Sequence, residues 1–331
     1  MRAFNQPTEQ RSGSTESMPW RIAVIVPCYN EEAAITQVVE QFRTALPAAV
    51  IHVYDNNSKD GTAAAARAAG ALVGVETRQG KGHVVRRMFA DVEADIYVLV
   101  DGDATYDAPS APKMVDKLVR ENLDMVVAAR VGQEQDAYRR GHLFGNHLLT
   151  WFVAEVFGSA TSDILSGYRI FSRRFVKSFP ALSTGFEIET ELTVHALELG
   201  MPVGEVPTPY FARPEGSASK LNTWRDGLRI LWTILQLYRG ERPLRFFGAF
   251  SVMLATLAIV LATPVVVTFL EEGVVPRLPT AILSSALMLL AFLSLTSGLV
   301  LDTVTRGRRE LKRLAYLAHR APYGYERRAN P

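Results

Sequence analysis

The stretch YDNNSKDGT, Tyr54–Thr62, follows the apolar run Val50-Ile51-His52-Val53. An apolar run that breaks off into Asp, two Asn, Ser, Lys, Asp and Gly has two readings. One is an ordinary turn, because Asn, Asp and Gly accept left-handed backbone and bond their own main chain. The other is a buried strand whose C-terminal end holds a ligand. The choice rests on whether other strands end the same way.

They do. Four runs of strand length, Ile22–Val26, Val50–Tyr54, Ile96–Val100 and Met125–Ala129, alternate with helical patterns at Glu31–Leu46, Gly61–Ala69, Gly82–Val92 and Ala111–Glu121. That alternation predicts an α/β domain built on a mostly parallel sheet. The first run empties into Pro27-Cys28-Tyr29-Asn30-Glu31-Glu32, the third into Asp101-Gly102-Asp103 and the fourth into Arg130. In open α/β sheets ligands sit outside the carboxyl ends of the strands. A turn explains any one of these ends, but less well all four together.

Composition narrows the function. The chain has 331 residues, and its 36 Lys+Arg nearly balance 34 Asp+Glu, so its charge does not argue for a nucleic-acid partner. A single cysteine, Cys28, excludes a disulfide framework or a cysteine-based zinc site within one chain. The polar stretch 1–20 reads as a mobile tail, not as a signal peptide or a span.

Two segments, Phe246–Leu270 and Leu278–Leu301, carry no charge at all. Each exceeds the roughly 20 residues a helix needs to cross a bilayer core. Buried helices of a soluble protein would normally show a polar face, and these show none. Arg239, Arg242 and Arg245 precede the first span, and Arg306, Arg308, Arg309, Lys312 and Arg313 follow the second. The link holds Glu271, Glu272 and Arg277. The positive-inside rule then places both long ends in the cytoplasm. Trp224, Leu228, Leu231, Trp232, Leu235 and Tyr238 recur at helical spacing, which predicts an amphipathic helix in the membrane interface. The expected organisation is a tail (1–20), a catalytic domain (21–222), an interface helix (223–245), a hairpin (246–301) and a basic tail (302–331). The location is the cytoplasmic membrane, crossed twice.

Several constellations carry chemistry. Asp101-Gly102-Asp103 presents two carboxylates to a hard cation such as Mg²⁺ or Mn²⁺, which a protein commonly holds through one or two carboxylates plus substrate phosphates. Arg78-Gln79-Gly80-Lys81-Gly82-His83 is suited to opening a helix toward an anionic phosphate, with Lys81 nearby. It is neither a P-loop nor a dinucleotide fingerprint. Asp163-Ile164-Leu165-Ser166-Gly167-Tyr168-Arg169 and Gly185-Phe186-Glu187-Ile188-Glu189-Thr190-Glu191 follow. Acids at a helix start are also favoured by the helix dipole alone. A basic set, Arg130, Arg139, Arg140, Arg169, Arg173 and Lys220, is available to a phosphate near the membrane.

In this order, VPCYNEE, YDNNSKDGT, GKG, DGD and DILSGYRIF followed by GFEIETE resemble glycosyltransferase family 2, which has the GT-A fold. The hairpin and the SGYR segment look like its polyprenyl-phosphate branch. The resemblance implies that Pro27, Tyr29 and Glu31 line a nucleoside pocket and that Asp55 lies near the base. It implies that Asp101 sits near ribose or metal, and that Asp103 is the main metal ligand. Ala128-Ala129-Arg130 matches the family's acceptor-side arginine, and Asp163, Ser166 and Gly167 match its Asp-x-x-Ser-Gly. Two positions depart from the pattern: Thr105 stands where Gln often assists the metal, and Asn56 stands where many members have a second Asp.

The implied activity is inverting transfer of a sugar from a UDP- or GDP-sugar to a polyprenyl phosphate, with Asp163 orienting sugar or acceptor. A homo-oligomer is allowed. A rival reading extends an existing lipid-linked glycan, and then Asp163 or one of Glu187, Glu189 and Glu191 must act as base. The Gln-x-x-Arg-Trp signature of processive synthases is absent from the sequence. A non-catalytic scaffold is the remaining alternative, against which Asp55, Asp101 and Asp103 stand. A nicotinamide enzyme is disfavoured because the first strand leads into PCYNEE and not into a glycine-rich turn.

Overall fold

The computed structural model describes residues 20–131, 162–183, 185, 187–212, 235–236 and 238–319. The expected polar tail (all but Trp20), the basic residues Arg139, Arg140 and Lys220, and most of the expected interface helix lie outside these residues.

The elements run β1 (Ile22–Cys28), α1 (Glu32–Ala45), β2 (Val50–Asp55), α2 (Thr62–Ala68), β3 (Leu72–Val75), α3 (Lys81–Asp91), β4 (Ile96–Leu99), α4 (Ala111–Arg120) and β5 (Met125–Val131). After them come β6 (Arg169–Ser172), α5 (Arg173–Ser178), α6 (Ile188–Leu199), β7 (Val203–Pro209), α7 (Pro243–Glu272) and α8 (Leu278–Leu317). Among the described residues the seven strands form one sheet in the order β3-β2-β1-β4-β6-β5-β7. Only β6 runs antiparallel, between β4 and β5. The α/β architecture and mostly parallel sheet agree with the sequence reading.

β1 is buried at all seven positions because helices cover both faces of the sheet. Val24 and Val26 join α1 and α4 in one core layer, while Ala23 and Ile25 join α3, α5 and α6 in the other. Three strands escape the sequence reading for physical reasons. β3 has four residues, one a glycine, and lies at a sheet edge. β7 contains two prolines, tolerated because it is the opposite edge. β6 begins with an arginine, whose charge hides a strand that is nonetheless fully buried.

α7 and α8 pack against each other through small residues: Ser251 donates to Ala291 O (2.7 Å) and Ser294 to Phe247 O (3.0 Å). A Cβ on Gly298 would lie 3.0 Å from Phe247 Cβ, so the glycine sets the close approach. Only 17% of the most apolar window of each helix is buried within the protein, so neither is the core helix of a soluble domain. Both are long and apolar enough to cross a membrane. α8 has 40 residues, about 60 Å of helix, roughly twice the thickness of a bilayer core.

Candidate active site

The opening question has a double answer. Part of the polarity of Tyr54–Thr62 serves to lock two strand ends together. Asn30 and Asn57 both take left-handed backbone, with φ of 52° and 59°. Asn30 N donates to Ser58 Oγ (2.9 Å), and Lys59 N returns a bond to Asn30 Oδ1 (2.8 Å). Glu31 N donates to Thr62 Oγ1 (2.9 Å). Asn56 ties this loop to the next one, donating from Nδ2 to Glu76 O (2.8 Å) and Arg78 O (2.7 Å) while Oδ1 accepts from Gly80 N (2.7 Å). An aspartate has no such donor, which accounts for Asn at this position.

Asp55 is not used up by the turn. Its Oδ2 accepts from Ser58 N (3.2 Å), but its buried Oδ1 has no partner among the described residues. A buried orphan acceptor calls for a ligand or ordered water. Pro27 is buried in β1, and Tyr29 and Glu31 follow half-buried at the same strand end.

The Asp101-Gly102-Asp103 segment follows the neighbouring strand. A Cβ on Gly102 would lie 2.5 Å from Cys28 Sγ, so glycine is required for the loop to pass over β1. Burial pushes the Cys28 thiol well up, which keeps it protonated and inert. Asp103 is buried, its Oδ1 accepting from Thr105 N (3.2 Å) and Thr105 Oγ1 (2.6 Å). Thr105 therefore braces the aspartate that the sequence reading assigns to the metal.

Lys81, the first residue of α3, carries its Nζ to 2.5 Å from Asp101 Oδ1 and 2.5 Å from Glu189 Oε1. Burial lowers the affinity of this ammonium for its proton, but the two carboxylates outweigh it and hold the pKa raised. Burial raises the Glu189 carboxyl, and Lys81 only partly offsets that. The second oxygen of Glu189, Oε2, is buried without a partner among the described residues. The preceding Gly80 has φ 132°, a conformation that a side chain would strain.

The third part lies at the end of β5. Arg130 forms a two-point ion pair with Asp163, Nε–Oδ2 2.6 Å and Nη2–Oδ1 2.8 Å, both side chains nearly buried. The guanidinium sits 5.4 Å from the centre of the Tyr210 ring. Tyr210 packs on Tyr106 at 5.3 Å, and the Tyr106 hydroxyl accepts from Gly167 N (2.8 Å). A Cβ on Gly167 would stand 2.4 Å from Asp101 Oδ2. A continuous path of contacts thus runs from Asp163 through Arg130, Tyr210, Tyr106 and Gly167 to Asp101, and on through Lys81 to Glu189.

Arg169 is a correction. Grouped in sequence with the phosphate-binding set, it is fully buried, with its Nε donating to Ser166 O (2.9 Å) and Nη1 to Thr193 Oγ1 (2.8 Å). A further bond runs to Ile164 O. Burial lowers the guanidinium to about 10. It holds the Asp163–Gly167 turn from inside and offers nothing to a ligand. Arg139, Arg140 and Lys220 lie outside the described residues. Conversely, Tyr106 and Tyr210 carry no sequence signal because their contact joins residues far apart in the chain. In sequence Glu189 stands out only as one of three acids at a helix start.

The donor set fits a divalent cation. Two carboxylates stand one residue apart, Asp101 remains partly exposed, and Gly167 leaves room against its outer oxygen. Among the described residues there is no cluster of three or more His, Cys, Asp and Glu able to hold a metal by itself. Proteins commonly hold such ions through one or two carboxylates, with phosphate oxygens or water completing the shell.

Comparison with known proteins agrees with this architecture. Residues 23–179 match the profile of Glycosyl transferase family 2. Glycosyltransferase AglJ of Haloferax volcanii is 36% identical over 70% of this chain and 76% of its own. Protein RfbJ of Shigella flexneri is 56% identical over 37% of this chain and 96% of its own. Dolichyl-phosphate hexose transferase of Haloferax volcanii is 27% identical over 67% of this chain and 95% of its own. Glucosyl-3-phosphoglycerate synthase of Mycobacterium tuberculosis, a solved structure, superposes with a TM-score of 0.54 at 23% identity over 66% of this chain and 80% of its own. That likeness shows a shared GT-A fold. The chain belongs to glycosyl transferase family 2, and it is a transferase.

Proposed function

We propose that the protein is an inverting glycosyltransferase that moves a sugar from a UDP- or GDP-sugar to a polyprenyl phosphate at the cytoplasmic face of the membrane. The observation that carries the reading is the joining of two parts: a sheet edge holding Asp55, Asp101, Asp103 and the Arg130–Asp163 pair, and a pair of bilayer-length helices in the same chain. Relatives support it through a dolichyl-phosphate hexose transferase and a hexosyltransferase of low-salt glycan biosynthesis. The solved structural relative has been captured with Mn²⁺ and UDP. In this reading residues 21–222 act as the catalytic domain and the two apolar helices as a membrane hairpin, with both ends of the chain on the cytoplasmic side.

Asp55, with its orphaned Oδ1, receives the base, and Pro27, Tyr29 and Glu31 line the nucleoside pocket. Asp101 and Asp103 would hold Mg²⁺ or Mn²⁺, which when bound neutralises the diphosphate that departs. Lys81 stands beside Asp101 as a second cation for that diphosphate. Arg130 receives the lipid phosphate, and Asp163 fixes its guanidinium. A phosphomonoester has its second pKa near 6, so the acceptor arrives largely ionised. One phosphate oxygen attacks the anomeric carbon while the bond from that carbon to the diphosphate oxygen breaks, and configuration inverts. No proton need be removed.

Extension of a lipid-linked glycan would need a base. Both oxygens of Asp163 are engaged by Arg130, both oxygens of Glu191 accept from Leu182 N and Ser183 N, and one oxygen of Glu189 is held by Lys81, which favours the phosphate acceptor. The test is transfer of radiolabelled sugar from a panel of UDP- and GDP-sugars to polyprenyl phosphate, with Mg²⁺, Mn²⁺ or chelator. An acid-labile lipid product that needs metal supports the proposal. Donor binding without a lipid-phosphate product would overturn it in favour of glycan extension.

A further inference from the structure

The charged end of α8 does not trail away from the hairpin. Its apolar part ends at Leu301, and the helix continues to Leu317. About 12 Å further along the axis Arg309 is reached, and Tyr316 lies about 22 Å beyond Leu301. Both dock on the catalytic domain.

The first anchor is Glu198, in the last turn of α6, whose side chain is 1% exposed. Arg309 Nε lies 3.0 Å from its Oε1 and Lys312 Nζ 2.7 Å from its Oε2. Arg309 also bonds Glu241 O (2.7 Å) and pairs with Glu241 Oε2 (3.3 Å), just ahead of α7. Three elements therefore meet at one charge cluster: the catalytic domain, the entry to the first apolar helix and the exit from the second. The second anchor is Asp124, fully buried at the start of β5. Tyr316 donates to its Oδ2 (2.8 Å), Arg174 pairs with it at 2.5 Å, and the Arg174 guanidinium lies over the Tyr316 ring at 4.7 Å.

Each anchor sits at the far end of an element whose near end belongs to the site. α6 starts at Ile188 beside Glu189, the partner of Lys81, and ends beside Glu198. β5 starts beside Asp124 and carries Arg130 near its end. Buried ion pairs add little net stability over apolar packing, and their best-attested use is to specify register. Paired carboxylates here fix how far and at what rotation the domain stands from the hairpin.

Resting on the proposed lipid-phosphate acceptor, we infer that Arg309–Tyr316 is a strut that seats the active site at a set height over the bilayer, with Glu198 and Asp124 as positioning residues. The strut matters for an acceptor whose phosphate is held at the membrane surface. It does not matter for one that diffuses freely to the site.

The test compares two acceptors with the full chain: a long-chain polyprenyl phosphate in liposomes and a short-chain polyprenyl phosphate in detergent. Glu198→Gln removes the charge that Arg309 and Lys312 grip, and Tyr316→Phe removes one hydrogen bond while keeping the ring. Both variants are expected to raise KM for the liposomal acceptor, with transfer falling roughly tenfold or more. Transfer to the short-chain acceptor and KM for the nucleotide-sugar stay as in the wild type. Equal losses on both acceptors in both variants, or no loss on either, would overturn the strut. Should Glu198→Gln fail to fold, Tyr316→Phe alone decides between these outcomes. A wild type inactive on both acceptors would instead overturn the proposed acceptor itself, and the strut with it.

Discussion

Lys81 bridges Asp101 and Glu189 with one ammonium, 2.5 Å from each carboxylate. One cation is shared by two acids, of which Glu189 is buried and Asp101 partly exposed. Removing the cation would leave both acids without compensation. Lys81→Met is therefore expected to destabilise the protein by about 3–5 kcal/mol, the range for breaking a buried pair. Burial already holds the Glu189 carboxyl above its ordinary range. A carboxyl with a raised folded-state pKa penalises folding in full above that pKa, and the penalty fades as pH falls to its unfolded-state pKa. The deficit of Lys81→Met should thus shrink as pH falls toward about 4. Thermal unfolding in detergent across pH checks this, and a deficit that widens on acidification would contradict it.

Asp103→Asn keeps the oxygen that accepts from Thr105 N and Oγ1 and removes only the charge. Melting temperature should be nearly unchanged, while Mn²⁺ binding measured by calorimetry and metal-supported transfer are both lost. Retention of Mn²⁺ affinity would place the metal elsewhere. Asp103→Ala is the poorer probe, because it also removes the brace of the turn.

At Gly167 the added Cβ would stand 2.4 Å from Asp101 Oδ2. Gly167→Ala must move that carboxylate. Displacing a group by about an ångström costs up to roughly a hundredfold in rate, so transfer should drop by ten- to a hundredfold. The drop should be accompanied by weaker Mn²⁺ binding. Activity within twofold of wild type would mean that the carboxylate has room to shift.

Asn56→Asp would turn two donor bonds into oxygen–oxygen contacts with Glu76 O and Arg78 O. Each carbonyl left unsatisfied costs about 1–3 kcal/mol. The variant should unfold at lower temperature and release the loop 76–80, seen as faster amide exchange at Gly80. An unaltered melting temperature would show that this loop finds other donors.

His195 is buried between Phe175 and Phe179, with Nε2 3.1 Å from Ser178 Oγ. Burial, aided by Lys312, lowers its pKa to about 3. The unfolded chain takes up a proton below about pH 6.5 and the folded one does not, so stability falls as pH drops through that window. The limiting slope is about 1.4 kcal/mol per pH unit. His195→Gln keeps a hydrogen-bonding group but cannot titrate. It should lose less melting temperature between pH 7 and pH 5 than the wild type, and identical losses would sink the assignment.

Much of this protein can be read from local sequence because local physics decides it. Apolar runs of strand length between helical patterns require a sheet covered on both faces, and β1, β2, β4 and β5 lie where those runs are. The uncharged segments 246–270 and 278–301 can be satisfied by few environments other than a bilayer. Polar residues at successive strand ends mark the edge where a ligand belongs.

What the tertiary structure decided are pairings between residues distant in the chain. Lys81 meets Glu189 across 108 positions, and Tyr316 meets Asp124 across 192. No periodicity reports such contacts. Arg169 shows the same limit from the other side: its charge reads as a surface phosphate ligand, yet backbone carbonyls and Thr193 satisfy it in the interior. The arginines and lysine that follow the second span read, in sequence, as a topology signal. In the folded chain Arg309 and Lys312 are matched by Glu198, because the helix carrying them continues past its apolar segment and meets a carboxylate at the end of α6.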